Sequence, residues 1–557
     1  MVNKALAFIT CMFIFGSCNV NKEARYPVIL NMVHHNPGEP LFETQYTEPA
    51  FLKSKGYTGQ VLVRQIQCGV TYDRWENNVV PERTEEKLWI ERHAATQRIL
   101  MNNAVKAEMP IYPFIDVLVV PQSLLAKYGD QMKKDGRLSI LREKTQEVLK
   151  AQIEEIFWRF PSFDGLTVRH GETYVHDTPF HKGTSPAITP EEHAVMINIL
   201  REEVCVKRNK KLFYRTWDFG YFHTDPEYYL NATGAVEPHD NLFFCIKNIN
   251  ADFQRGYPFN VTIGIGEHQQ IIELSTNYAG LHGRSSHPYY IGRGVIEGWS
   301  ELQDDDRKGI ADLYHETQVR GVNIWTWGDG WKGPYFDSEL WINLNEYILR
   351  NYALNPENDE LLLFNQYAKS ELGIKGGDIA RFRELCLLSE DAAYYGQSSR
   401  YFKVNSWWCR DQFLTGINLK EVVKKDIKEK VLAEKAEAVA AWHRIEELAY
   451  EIQMPDKDNE SFLRVSSTYG RIKYEIISMI WQMQVLLAEQ ELGKIVDMEV
   501  AAKLYNDFDE KWQEWEELKK KNANCPTLYE INNSIYCGYP PFTHSLQKLE
   551  SIIKSNN

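Results

Sequence analysis

The sequence predicts a (β/α)8 barrel followed by an all-α C-terminal domain. Short β-rich runs alternate with longer helical segments eight times between residues 26 and 347, which is the count of units in a closed barrel. Several of these runs end in charged or amide residues, as strands do where a barrel carries its active face. From residue 348 to residue 557 the pattern has helical spacing alone.

The predicted strands are apolar, β-branched runs. In chain order they are Val28–Val33, Gln60–Val63, Ile111–Val120, Leu166–Arg169, Leu212–Trp217, Leu242–Lys247, Ile271–Thr276 and Val322–Trp327. Between the fourth and the fifth strand, Thr189-Pro-Glu-Glu192 has the form of a capping box with proline at the first helical position. We therefore expect a helix to begin there, ahead of the apolar spacing of residues 193–204.

Long amphipathic segments predict the helices of the C-terminal domain. They are Val422–Ile452, Arg471–Leu492 and Ala501–Lys521, and the last contains Trp512 and Trp515 on a charged background. We interpret these two tryptophans as packing residues.

The first eighteen residues have the form of an export signal. Lys4 supplies a positive start, and the apolar segment over residues 5–15 is too short to span a bilayer. Phe15-Gly-Ser-Cys18 then resembles a bacterial lipobox. We expect an exported lipoprotein whose acylated Cys18 anchors it in the outer membrane, facing the periplasm or the cell surface. The alternative is a plain secretory signal in which Cys18 is incidental.

Composition excludes several classes of function. With 557 residues, of which 43% are hydrophobic and 25% charged, the chain is a globular protein of more than one domain. The net charge of −14 argues against a nucleic-acid partner. Its nine cysteines include no CxxC pair, and no other cluster has metal-ligand spacing, so we expect neither a metal site nor a cofactor.

The candidate site lies at the ends of strands four to seven. The C-terminal ends of barrel strands share one face, so polar residues there are expected to converge. They are Arg169, His170, Glu172, Arg215, Lys247, Asp252, Asn277 and Tyr278.

Two of these residues are carboxylates on different strands, the arrangement that cleavage of a glycosidic bond requires. One of the two, Glu172 or Asp252, could donate a proton to the leaving oxygen while the other activates water or attacks carbon. Three cations accompany them in an otherwise acidic protein, as expected where an anion must be neutralised. Because the simplest anion of a sugar is a carboxylate, the site predicts a uronic acid. The alternative is that the cations pair with Glu172 and Asp252 in a purely structural network.

The same motifs resemble the α-glucuronidases of glycoside hydrolase family 67. In that family the general-acid glutamate follows a strand that ends in lysine, and Arg169 to Glu172 is similar to that place. Arg215 is similar to the arginine of the family's next strand. Lys247-Asn-Ile-Asn-Ala-Asp252-Phe-Gln254 is similar to its Lys-Asn-x-x-x-Asp-Phe-Gln segment. The resemblance covers about residues 28–360, with a looser helical C-terminus.

The resemblance implies roles for five residues. Glu172 would be the general acid and Asp252 one member of the base pair. Arg169, Arg215 and Lys247 would hold the glucuronate. His170, Asn277 and Tyr278 are assigned to substrate binding on their position at strand ends.

The sequence departs from the family after the seventh strand. Where the family has Gln-Glu-Tyr-x-Gly, this chain has Thr276-Asn277-Tyr278-Ala-Gly280, and asparagine cannot accept a proton at neutral pH. Glu273 lies on the same face by its spacing but deeper in the strand. Either Asp252 alone activates water, or the reaction is not an inverting hydrolysis.

Three functions remain open. The first is an exo-acting glycosidase that removes a terminal glucuronate or iduronate from an acidic oligosaccharide. The second is a dehydratase or lyase that forms a 4,5-unsaturated sugar at the non-reducing end, with His170, Tyr278 or Asp252 as the base. The third is a catalytically inactive, lipid-anchored glycan-binding protein.

Overall fold

Eight parallel strands close into a barrel in this computed structural model, which confirms the predicted fold class. The structure describes residues 25–34, 44–171, 173, 175, 178–218, 220–250, 253, 259–276, 309–327, 338–402, 419–525 and 543–556. The barrel strands are β1 Val28–Val33, β2 Gly59–Val63, β3 Ile111–Asp116, β4 Gly165–Arg169, β5 Lys211–Arg215, β6 Leu242–Lys247, β7 Gln269–Ser275 and β8 Val319–Trp327. Each pairs with the next in parallel, and β8 closes on β1.

Helices surround the barrel and continue into the C-terminal region. They are α1 Pro49–Ser54, α2 Glu85–Lys106, α3 Gln122–Met132, α4 Glu143–Arg159, α5 Pro190–Leu200, α6 Tyr221–Thr224, α7 Pro226–Thr233, α8 Ile310–Leu313, α9 Leu340–Leu354, α10 Glu360–Gln366, α11 Gly377–Gln397, α12 Leu419–Lys424, α13 Lys428–Glu451, α14 Lys457–Glu491, α15 Met498–Lys521 and α16 Thr543–Asn556. Helix α5 begins at Pro190 as predicted, because the Thr189 hydroxyl accepts the Glu192 N–H at 3.2 Å.

The third strand is shorter than predicted. It ends at Asp116 rather than at Val120, because Leu118 adopts a left-handed backbone with φ of 60°. The Leu118 N–H donates to the side-chain oxygen of Gln152 on α4 at 3.1 Å, which fixes this turn. Val120–Pro121 then pairs with His181–Lys182 in a separate two-stranded sheet. Asp116 therefore lies at the C-terminal end of a barrel strand.

Glycine allows the barrel strands to approach closely near their N-terminal ends. A Cβ at Gly165 of β4 would lie 1.9 Å from the carbonyl oxygen of Lys211 on β5. A Cβ at Gly59 of β2 would lie 2.4 Å from the ring of Tyr112 on β3. A larger residue at Gly165 would collide with the backbone of β5, whereas one at Gly59 would displace the Tyr112 ring.

The C-terminal region is helical in the ranges described. The predicted helix over residues 422–452 is in fact two helices, α12 and α13, because Asp426 between them has φ of 54°. The predicted domain boundary after residue 347 falls inside α9, whose Trp341 donates its indole N–H to Ser466 of α14 at 3.2 Å. Among the described helices, none is both long and apolar enough to cross a bilayer.

Candidate active site

A belt of charged side chains lies at the C-terminal end of the barrel. Five consecutive strands, β3 to β7, each contribute one: Asp116, Arg169, Arg215, Lys247 and Glu273. All five are at most 2% exposed. Strand register places the Cα atoms of Asp116 and Arg169 opposite each other, and likewise those of Lys247 and Glu273. The structure therefore brings together the three cations predicted to bind substrate.

Two of the cations are held by carboxylates that the sequence reasoning did not assign. The Arg169 guanidinium donates from Nε to Asp116 Oδ1, and from Nη2 to Oδ2 at 2.7 Å. The Arg215 guanidinium donates from Nε to Glu273 Oε1 at 2.7 Å and from Nη2 to Oε2 at 2.8 Å. Both pairs are bidentate, which fixes the plane of each guanidinium.

Aromatic rings flank the two arginines. The guanidinium carbons of Arg169 and Arg215 lie 4.9 Å and 5.0 Å from the ring centroid of Phe114, which belongs to β3. The Arg215 guanidinium carbon is also 5.1 Å from the ring centroid of Trp325 on β8, and the His34 ring stacks on this indole at 5.0 Å. Such contacts favour a cation electrostatically and exclude water from it.

Lys247 lies among three aromatic rings. Its ammonium nitrogen is 3.8 Å from the ring centroid of Trp217, 4.7 Å from that of Phe253 and 5.4 Å from that of Trp325. Phe253 has a left-handed backbone with φ of 60°, and its ring meets Trp325 edge-on at 5.1 Å. The left-handed backbone of Phe253 thus accompanies a ring packed against the buried ammonium of Lys247.

Further strained residues occur in loops at this face. Gln65 follows β2 with φ of 50°, and Leu118 follows β3 with φ of 60°. Non-glycine residues adopt this conformation rarely, and they concentrate at functional sites. Positive φ values also occur at Glu108 before β3 and at Asn209 before β5, so backbone strain is not confined to this end of the barrel.

His170 is not brought together with the cations. It follows Arg169 directly, so its side chain points to the opposite face of β4. There it contacts the rings of His193 at 4.6 Å and Tyr214 at 5.1 Å, and its Nε2 bonds to the Arg215 carbonyl oxygen at 2.9 Å. Burial lowers the pKa of His170 to about 3. The imidazole is therefore neutral and lies behind the charged belt.

Asp218 is a titratable residue at this face that sequence reasoning missed. It lies in the loop after β5, and burial raises the pKa of its carboxyl to about 6. Its Oδ1 accepts the Gly220 N–H at 2.7 Å. A Cβ at Gly171 would lie 2.4 Å from the Asp218 Cα, so the loops after β4 and β5 touch there. The sequence signal was a lone acid in the aromatic stretch Trp217-Asp-Phe-Gly220.

The other predicted site residues lie outside the part of the chain that the structure describes. These are Glu172, Asp252, Asn277 and Tyr278, and also Cys18 of the export signal. Their roles stay predictions. Among the described residues, no group of three or more His, Cys, Asp or Glu side chains could hold a metal ion.

Comparison with solved structures relates the chain to glycoside hydrolases by fold. A family-138 glycoside hydrolase that targets the pectin rhamnogalacturonan II superposes with a TM-score of 0.56 at 12% identity, over 96% of this chain and 85% of that one. The O-GlcNAc hydrolase of Thermobaculum terrenum superposes with a TM-score of 0.42 at 11% identity, over 95% of each chain. No protein-family model and no curated protein matches the sequence. At 12% identity, the first similarity supports the fold assignment.

Proposed function

We propose that this protein is a carbohydrate-active enzyme that acts on the terminal uronic acid of oligosaccharides from acidic polysaccharides, by α-glucuronidase-like hydrolysis. The observation that carries the proposal is the convergence of Arg169, Arg215 and Lys247 at the catalytic face of a barrel. A neutral sugar would need no such group of cations, whereas a sugar carboxylate would. The shared fold with a glycoside hydrolase that targets a pectin is consistent with this class of substrate.

In the hydrolytic reaction, Glu172 donates a proton to the glycosidic oxygen while Asp252 positions the attacking water. The C1–oxygen bond breaks, the leaving sugar takes the proton from Glu172, and water adds to C1 as it gives a proton to Asp252. The cations hold the carboxylate of the uronic acid, which fixes the ring relative to both carboxyl groups. Positioning of this kind supplies a large part of an enzyme's rate enhancement.

Elimination is a second candidate, because Asn277 stands where the resembling family has a base. Glu273 does not replace that base, since both of its oxygens accept hydrogen bonds from Arg215.

In elimination, Asp252 or Tyr278 removes the proton at C5, which the neighbouring carboxylate acidifies. The C4–oxygen bond then breaks as a general acid, for which Glu172 is the candidate, protonates the leaving oxygen, and a C4–C5 double bond forms. Arg215 and Lys247 would stabilise the negative charge that develops on the carboxylate. The buried, neutral His170 is a poor third base.

One incubation separates the candidate functions. The wild-type protein is mixed with a uronate-terminated oligosaccharide, and released uronic acid is measured beside the ultraviolet absorbance of a conjugated alkene and carboxylate. Free uronate without absorbance indicates hydrolysis, and absorbance indicates elimination. Binding without either product indicates a glycan-binding protein. Absence of both binding and products would contradict the proposal.

We further propose that the protein works as an exported lipoprotein anchored through acylated Cys18 in the outer membrane. The lipobox-like Phe15-Gly-Ser-Cys18 supports this. Labelling of cells with a fatty acid should mark the wild-type protein and not a Cys18→Ala variant. Equal labelling of both would contradict the anchor.

A further inference from the structure

A cavity of about 130 Å³ lies on the outer flank of the barrel, between β2 and the helices α1 and α2. Strand register places Val63 of β2 opposite Phe114 of β3, whose ring packs on the arginines of the charged belt. Side chains alternate along a strand, so Leu62 and Arg64 lie on the other face of β2. Both residues line the cavity. The wall of the barrel therefore separates the cavity from the charged belt.

Arg64 brings a cation into this cavity without a carboxylate to balance it. Among the described residues, no carboxylate forms an ion pair with its guanidinium, and burial lowers the pKa of that group. The adjoining backbone is fixed, because the Gln65 carbonyl oxygen bonds to Nε2 of His93 at 3.0 Å. A cation that is partly removed from water costs free energy unless an anion or a hydrogen-bond acceptor replaces the lost hydration. The cavity has room for such an anion beside Arg64.

The other lining residues favour an organic anion over an inorganic one. Val33, Leu62 and Leu100 provide apolar walls, and Leu100 is 41% exposed. The hydrocarbon part of a carboxylic acid gains free energy against such walls, whereas phosphate or sulfate would lose hydration there without compensation. The exposed carboxylate of Glu48 also lines the cavity, and it further disfavours an anion with more than one charge.

We propose that this cavity binds a small organic carboxylate through the guanidinium of Arg64. The planar donor edge of arginine matches the two oxygens of a carboxylate. The exposed side-chain amide of Asn103, on α2, lines the same cavity and can donate a further hydrogen bond. A water occupies ~30 Å³ in the liquid, so a cavity of about 130 Å³ takes roughly four waters or an acid with a short carbon chain. The site lies outside the charged belt and needs no sugar, so the inference goes beyond the proposed function.

The competing interpretation is that water alone fills the cavity and hydrates Arg64. Calorimetric titration of the full chain with sodium propionate, at constant ionic strength, distinguishes the two. Wild type is compared with Arg64→Leu, which removes the cation, and with Leu100→Trp, which fills the cavity and keeps the cation. Arg92→Leu is the matched control, because Arg92 is an exposed arginine of α2 and its loss changes the net charge equally. Any propionate that binds at the charged belt contributes equally to all four proteins.

We expect saturable binding of propionate by wild type and by Arg92→Leu. Binding at the cavity should be at least about tenfold weaker in Arg64→Leu, because a charge-assisted contact is lost. It should weaken as much in Leu100→Trp, because the indole takes the space of the ligand. Equal titrations of wild type and Arg64→Leu, or an equal loss in the Arg92→Leu control, would overturn the inference.

Thermal unfolding without propionate tests whether Arg64 has a structural role instead. Arg64→Leu should unfold at the temperature of wild type or above it, because the substitution removes a partly buried charge that has no described carboxylate partner. A clearly lower unfolding temperature would mean that the guanidinium is balanced within the fold, and the inference would then be wrong.

Two further titrations test the kind of ligand. Sodium sulfate at the same concentration should not displace propionate, and equal displacement would overturn the assignment to an organic acid. Glu48→Gln should bind propionate more tightly than wild type, since one repelling charge is gone; weaker binding would contradict recognition of an anion. A protein that fails to act on uronates and still binds propionate through Arg64 would disprove the proposed function and leave this inference intact.

Discussion

Acidification should reveal how deeply His170 is buried. The folded protein holds its pKa at about 3, because burial disfavours the charged imidazole, whereas an unfolded chain has a value near ~6.5. Below about pH 6.5 the unfolded state therefore binds a proton that the folded state does not bind. The free energy of unfolding falls as the pH falls from there towards 3. Each unit by which the pH falls in this window lowers the free energy of unfolding by about 1.4 kcal/mol. At about pH 5, His170 should therefore lower it by about 2 kcal/mol.

The substitution His170→Gln isolates this contribution. The glutamine amide N–H can replace the Nε2–H that donates to the Arg215 carbonyl oxygen, and it does not titrate in this range. Urea unfolding at about pH 7.5 and about pH 5 should show that wild type loses about 2 kcal/mol more between the two conditions than the variant does. Phe222→Leu is the control, because it disturbs the packing around His170 without removing a titratable group. It should lower stability equally at both pH values.

An identical pH dependence in wild type and His170→Gln would refute this reasoning. It would mean that the imidazole accepts a proton in the folded state. An imidazole that can accept a proton in the folded state would be accessible to water, and in its neutral form it could act as the base of an elimination reaction. The experiment therefore also tests whether the residue belongs behind the charged belt or within the site.

Three further predictions concern the chemistry of the site. Glu172→Gln should lower kcat by ~10²–10⁴ with little change in substrate affinity, because the amide cannot donate a proton; steady-state kinetics that retain most of the turnover would contradict the assignment. Lys247→Ala should weaken uronate binding by ~1.5–3 kcal/mol in calorimetry and leave a neutral sugar unaffected; equal losses for both sugars would contradict the role in anion binding. Asn277→Glu should raise uronate release if the enzyme is a hydrolase. If it is an eliminating enzyme, the unsaturated product should fall, since a second anion ~6 Å from the substrate carboxylate costs about 3 kcal/mol at an effective dielectric of ~20. Product chromatography distinguishes the two, and unchanged products would place Asn277 outside the site.

The barrel could be predicted because buried parallel strands have a strong local signal. Continuous apolar runs predicted Val28–Val33 and Leu242–Lys247 with the bounds that the structure has. The end of β3 could not be predicted, because the residues after Asp116 are as apolar as the strand itself. The chain turns there because the Leu118 N–H donates to the side-chain oxygen of a distant glutamine, Gln152, and no local pattern encodes that contact.

The sequence predicted the cations of the site but not the carboxylates that bind two of them. Arg169, Arg215 and Lys247 lie where strand-end reasoning puts them. Their carboxylates depend on strand register and on barrel curvature, which bring Glu273 of β7 to Arg215 of β5 across an intervening strand. His170 could have been placed correctly, since adjacent residues of a strand point to opposite faces and Arg169 already occupies the inner one.

The most direct test of the central claim compares two oligosaccharides that differ in one group. One ends in a uronic acid, and the other ends in the same sugar with a neutral hydroxymethyl in place of the carboxylate. The belt of three cations and two carboxylates predicts that wild type binds the uronate at least about tenfold more tightly, as one charge-assisted contact supplies ~1.5–3 kcal/mol. Equal binding of the two, or preference for the neutral sugar, would contradict the claim that this site selects an anionic sugar.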